Sequence, residues 1–133
     1  MSAKTTLVWN DSLMVGNAVI DADHRETVEL LAEVIDASDD ALPDLFARFA
    51  LHLRTHLTRE EELMRRYGFP AWTIHKMEHD RVRMELDGIE TRLAAGNLQL
   101  VRTYTSTVVP EWFINHKDTM DAATAGWIRQ CGS

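Results

Sequence analysis

The stretch HLTREEELM, His56 to Met64, sets a histidine one helical turn ahead of a run of three glutamates. Taken alone, three adjacent carboxylates read as a solvated helix face. The flanking residues supply a phase. Leu42, Phe46, Phe49, Leu53, His56, Glu60, Met64 and Tyr67 recur every three or four residues, the spacing of one buried helical face. At about 100° per residue, Glu60 lies at the centre of that face and His56 roughly 40° to one side. Glu61 and Glu62 turn away by about 100° and 200°, toward solvent. One carboxylate of the three therefore faces inward, and replacing Glu61 or Glu62 is expected to cost almost nothing.

The same reading extends in both directions. Upstream, a helix is expected from about Asp21 to Ala37, capped by Asp21 or Asp23, with His24, Val28, Leu31 and Ile35 on its inner face. The helix holding His56 begins near Pro43, which suits a first turn, and stops before Gly68 and Pro70. A third runs from near Pro70 to about Ala95, ending at Gly96, with Trp72, His75, His79, Val82, Leu86, Ile89 and Leu93 inward. A fourth begins after Asn97, with Leu98, Val101, Thr105, Val109, Trp112 and His116 inward and a kink expected at Pro110. Residues 1–19 read as an N-terminal arm, and the last dozen as a short helix or turn. The expected fold is all-α: an antiparallel up-down four-helix bundle, with residues 1–133 as one domain.

Composition narrows the class. The chain has 133 residues, 45% of them hydrophobic, and a net charge of −7 without a Lys/Arg cluster. That balance argues against nucleic acid or an anionic membrane as partner. No apolar run reaches membrane-spanning length, and the N-terminus lacks the apolar core of a secretion signal. Cys131 is the only cysteine and cannot pair within the chain, so a reducing, cytoplasmic setting is expected. A monomer is the expected state.

A buried carboxylate without a partner loses several kcal/mol of hydration. No Lys or Arg lies on the inner stripe around Glu60, whereas a metal ion supplies the missing charge. The histidines point the same way. His24, His56, His75, His79 and His116 fall on inner stripes drawn from all four helices. One such histidine is more often a hydrogen-bonded core residue; five on converging stripes, with a buried carboxylate, indicate a metal site. His52 lies about 80° off the stripe centre and reads as a boundary residue, with support of a ligand from behind as the alternative. A second carboxylate follows His116, in HKDTMD. On a regular helix Asp121 points about 140° away from His116 and Asp118 about 200°, so spacing selects neither. For Asp121 to join the site, the helix must unwind or bulge just after His116.

Together these residues resemble the hemerythrin family, in particular its bacterial single-domain members. The ordered set is Trp9 and Gly16, GNAVIDADH ending at His24, HLTREEELM, FPAWTIHKMEH and WFINHKDTMD. The resemblance selects Asp121, because the family's last motif is histidine followed five residues later by aspartate. It implies two iron ions: His75, His79 and His116 on one, His24 and His56 on the other. Glu60 and Asp121 would bridge them, together with an oxo or hydroxo group. It further implies reversible dioxygen binding at the two-histidine iron, for storage or for delivery to an oxygen-consuming enzyme, rather than enzymatic turnover. Two positions depart from the family's pattern. Asp23 stands where glutamine is common and reads as a cap or surface residue. Phe113 stands where leucine often lines the O2 pocket and implies a bulkier wall.

Three other readings carry less. HKMEH contains H-x-x-E-H, a zinc-hydrolase pattern, but leaves His24, His56, Glu60 and His116 without a role. An oxygen-activating di-iron oxidase or peroxidase would be richer in carboxylates and in E-x-x-H pairs. An oxygen or redox sensor would have to signal through a protein partner.

Overall fold

The computed structural model describes residues 7–132, and among these every regular element is helical. A 3-10 turn, Asp11–Leu13, lies in the arm. Three long helices follow: α1 (Ala18–Asp36), α2 (Leu42–Arg66) and α3 (Trp72–Ala94). The fourth column is continuous but uneven. It comprises α4 (Leu98–Thr103), a π turn (Tyr104–Val108), α5 (Val109–His116), a second π turn (Lys117–Asp121) and α6 (Ala122–Cys131). α1 packs on α2, α2 on α3 and α3 on α4, and the first π turn returns to α1, closing a four-helix bundle. None of the described helices is long and apolar enough to cross a membrane.

Local chemistry accounts for the boundaries. α1 starts three residues before the expected Asp21, because the Asn17 side chain accepts from the Ile20 N–H (3.0 Å) and caps it. Asp21 does not cap the helix. Its carboxylate accepts the N–H groups of Val15 (2.7 Å) and Gly16 (3.2 Å), folding the arm onto the helix. Gly16 takes φ +91°, a conformation that favours glycine. Arg129 on α6 donates to the Val15 carbonyl (2.7 Å) and ties the other chain end to the same turn. Pro43 lies in the first turn of α2, and α3 begins at Trp72, two residues after Pro70. Asn97 caps α4 by accepting from the Leu100 N–H (3.2 Å).

A π turn lies just ahead of Pro110. This proline has no N–H to offer, and its ring crowds the preceding turn. The π turn at 104–108 widens the backbone just ahead of it, so the β-branched stretch TSTVV stays helical.

Antiparallel alternation sorts the bundle into two ends. The start of α1, the end of α2, the start of α3 and the end of the fourth column share one end, and they carry the histidines. The other end is an apolar core in which Leu42, Phe46, Phe49, Leu86 and Val101 are fully buried. On α1, Val34 takes the deepest place and Ile35 is only half-buried, a small rotation from the expected stripe. Because the apolar end is closely packed, Phe49→Ala should lower unfolding free energy by about 3–5 kcal/mol, measured by denaturant titration.

Candidate metal centre

All seven residues expected at the site are buried and brought together. They form two overlapping groups in which one ligand atom per residue lies within 4.8 Å of all the others. One group is Glu60, His75, His79, His116 and Asp121; the other is His24, His56, Glu60 and Asp121. Glu60, 1% exposed, and Asp121 belong to both.

Asp121 reaches the cluster through the second π turn. There the Ala122 N–H bonds to the Lys117 carbonyl, an i→i+5 pattern that stacks residue 121 over 116. The bulge that Asp121 needs after His116 is present. The Asp118 side chain is 59% exposed and pairs with Lys117 instead.

The imidazoles converge through Nε2. Asp121 lies 2.9 Å from His24 Nε2 and 3.1 Å from those of His75 and His116. Glu60 Oε1 lies 3.0 Å from Nε2 of both His75 and His79. Yet neither Glu60 oxygen, nor His79 Nε2, is aligned for a hydrogen bond. Nε2 of His75 and of His116 face each other at 3.2 Å. Lone pairs aimed at common points in a dry interior fit cations at those points. The donor set of imidazole nitrogens and carboxylate oxygens suits a first-row transition metal such as iron.

Behind the Nε2 atoms the histidines divide. His56 Nδ1 donates to Asp23 (3.1 Å), His79 Nδ1 to Glu61 (2.9 Å) and His75 Nδ1 to Thr124 Oγ1 (2.9 Å). Such partners orient a ligand ring and raise its basicity. His24 and His116 are held by aromatic rings instead. The buried Phe113 meets His24 edge-on at 5.1 Å, and Trp112 stacks on His116 at 4.8 Å and 19°. Trp112 precedes His116 by one turn, a spacing that marks the pair; nothing in the sequence marks Thr124.

Two expectations are overturned. Glu61 is not a solvent residue: it is 7% exposed, holds His79 and accepts from Arg83 (2.6 Å). Replacing it removes the support of a clustered histidine, so a negligible cost no longer follows. Asp23 is neither cap nor surface: it is 6% exposed, holds His56 and pairs with Arg59. Both errors have one cause. A position about 100° off the inward direction faces the neighbouring helix in a bundle, not solvent. Glu62 is exposed, as expected. His52 is the boundary residue: its ring faces the Asp23 carbonyl (3.0 Å) and the Glu26 carboxylate (2.5 Å). Glu78 of HKMEH turns away from the cluster, toward Arg81 (2.5 Å) and Trp112 Nε1 (3.3 Å).

The electrostatics follow from packing anions against imidazoles. Burial lowers the pKa of His75, but Asp121 and Glu60 outweigh it and raise it to about 9. His56 is likewise raised, against burial, chiefly by Asp23 and Glu60. Burial and Asp121 push the Glu60 carboxyl up, yet the histidines hold it below its ordinary range. Burial also opposes ionisation of Asp121, whose three histidine neighbours hold it well below that range. For metal-free protein, the His75 contribution is complete below its ordinary 6.5 and is lost as pH rises through about 9. Thermal unfolding of metal-free protein should therefore shift to lower temperature across that interval. An unchanged midpoint would contradict the assignment.

Comparison with known proteins agrees with this geometry. Residues 15–127 match the family model described as "Hemerythrin HHE cation binding domain". The chain is 34% identical over 124 residues to a bacteriohemerythrin of Ralstonia nicotianae, covering 93% of this chain and 90% of that protein. A bacteriohemerythrin of Aquifex aeolicus is 31% identical over 117 residues, 84% of this chain and 88% of the relative. A hemerythrin-like protein of Naegleria gruberi is 26% identical over 111 residues, 81% of this chain and 82% of the relative. With the family model spanning most of its length, the chain belongs to the hemerythrin family.

Proposed function

We propose that this protein binds dioxygen reversibly at a di-iron centre, to store it or to deliver it to an oxygen-consuming enzyme. In this reading His75, His79 and His116 hold one iron, His24 and His56 the other, and Glu60 and Asp121 are shared. The carrying observation is the overlap of the two residue groups at two carboxylates, with three imidazoles in one group and two in the other. Unequal donor counts leave the two-histidine position one ligand short, and so able to accept a small molecule. When bound, two ferrous ions supply the two electrons that dioxygen capture requires.

The remaining chemistry belongs to the chain. The Phe113 ring stands against His24, on the side of the two-histidine group. It presents hydrocarbon there, which excludes water and tolerates an apolar diatomic. Five imidazoles and two carboxylates make a less anionic pocket than a carboxylate-rich one. That composition favours binding over the high-valent chemistry of an oxidase. Glu78 is held by Arg81 and Trp112 rather than by the cluster, which gives no support to a zinc hydrolase built on HKMEH.

Iron-loaded protein cycled between air and argon should gain and lose a visible absorption band over repeated cycles. Irreversible bleaching in the first cycle would favour catalytic turnover. Removing the hydrocarbon wall should admit water: Phe113→Ala should speed autoxidation, followed by stopped-flow absorbance. Decay no faster than wild type would contradict the role given to Phe113.

A further inference from the structure

One arrangement occurs twice around the bundle. Asp23 on α1 accepts from His56 Nδ1 on α2 and pairs with Arg59, three residues after that histidine. Glu61 on α2 accepts from His79 Nδ1 on α3 and pairs with Arg83, four residues after that histidine. Each unit is a carboxylate on one helix facing a histidine and an arginine, one turn apart, on the next. Each metal group contains one such histidine: His79 in the first, His56 in the second. Among the other three, His75 Nδ1 meets only a neutral hydroxyl, and Nδ1 of His24 and of His116 has no hydrogen-bond partner among the described residues.

We propose that Asp23–Arg59 and Glu61–Arg83 are paired positioning elements that set the ferric–ferrous balance, one for each iron. This rests on the di-iron reading above. A carboxylate that accepts the Nδ1–H pushes electron density toward Nε2 and strengthens donation to a metal there. Stronger donation favours the more highly charged Fe(III). The arginine occupies the same carboxylate with its own N–H groups and competes for its charge, which tempers that push. Stability alone is a poor explanation for the arginines. The Arg59 side chain is 45% exposed, and ion pairs of that kind contribute little. Arg83 has further contacts, to Asp80 (3.0 Å) and Thr58 (3.3 Å), so it is held in place independently of Glu61.

The two partners of each pair should therefore act in opposite directions. Glu61→Gln and Asp23→Asn weaken the pull on the imidazole and should shift the equilibrium toward Fe(II). They should also lower iron affinity by roughly 10- to 100-fold. Arg83→Gln and Arg59→Gln leave the carboxylate uncompensated and should shift the equilibrium toward Fe(III). Arg83→Lys, which keeps the cation, should lie nearer wild type. The experiment is an anaerobic redox titration of iron-loaded protein against mediator dyes. Each Fe(III) takes one electron from a reduced dye, which is oxidised in that step, and no side-chain bond is broken. Iron per chain is measured by elemental analysis, and helix content by circular dichroism on the metal-free forms. Opposite shifts within either pair, at wild-type helix content, support the proposal. Two irons in wild type with shifts of the same sign, or none, in both pairs overturn it and leave the di-iron reading standing. Wild type that binds no iron overturns both.

Discussion

Two carboxylates, Glu60 and Asp121, lie side by side in the dry interior, and the rest of the structure is arranged around that cost. Neither is neutralised by a lysine or an arginine. Their neighbours are imidazoles, which donate when protonated and repel a carboxylate when neutral and turned lone pair first. In metal-free protein the conflict is met by protons, so His75 is held charged up to about 9 and Asp121 is held ionised. Cations placed between the Nε2 atoms and the carboxylates would replace those protons and leave every lone pair matched. Both Glu60 oxygens lack a hydrogen-bond partner despite nitrogens at 3.0 Å, which is what a coordination site left by the fold looks like.

The division of the bundle follows from this constraint. A cluster of seven polar side chains contributes little to hydrophobic cohesion, so the apolar end must hold the helices together. Phe46, Phe49, Leu42 and Leu86 are among the residues that do so. The arm and α6 close the polar end from outside. Arg129 binds the turn at Val15, and Trp127 Nε1 donates to the Tyr67 carbonyl (2.7 Å). Both contacts anchor α6, the helix that follows the second π turn, where Asp121 departs from regular helical phase.

Much of this was legible in the residues, and the parts that were not have physical reasons. The four helices and the inward set of His24, His56, Glu60, His75, His79 and His116 follow from periodicity, because a buried helical face repeats every three or four residues. Asp121 does not follow from it. A π turn breaks the phase, and only resemblance to the family's final motif selected that residue. Asp23 and Glu61 were misjudged for a different reason: a phase argument has one inward direction, whereas a helix in a bundle also has two flanks against its neighbours. The capping of α1 was misplaced because Asn17 and Asp21 are both competent acceptors, and only the course of the arm decides which faces the helix and which the loop. Glycine at position 16, with φ +91°, is where that course is set.

The central claim is that two metal positions share Glu60 and Asp121. The most direct measurement is iron stoichiometry by anaerobic equilibrium titration, comparing wild type with Glu60→Gln and Asp121→Asn. The account predicts two irons per chain in wild type and loss of both, together, when either shared carboxylate is replaced. One metal per chain in wild type, or a variant that keeps one iron at wild-type affinity while losing the other, would contradict it.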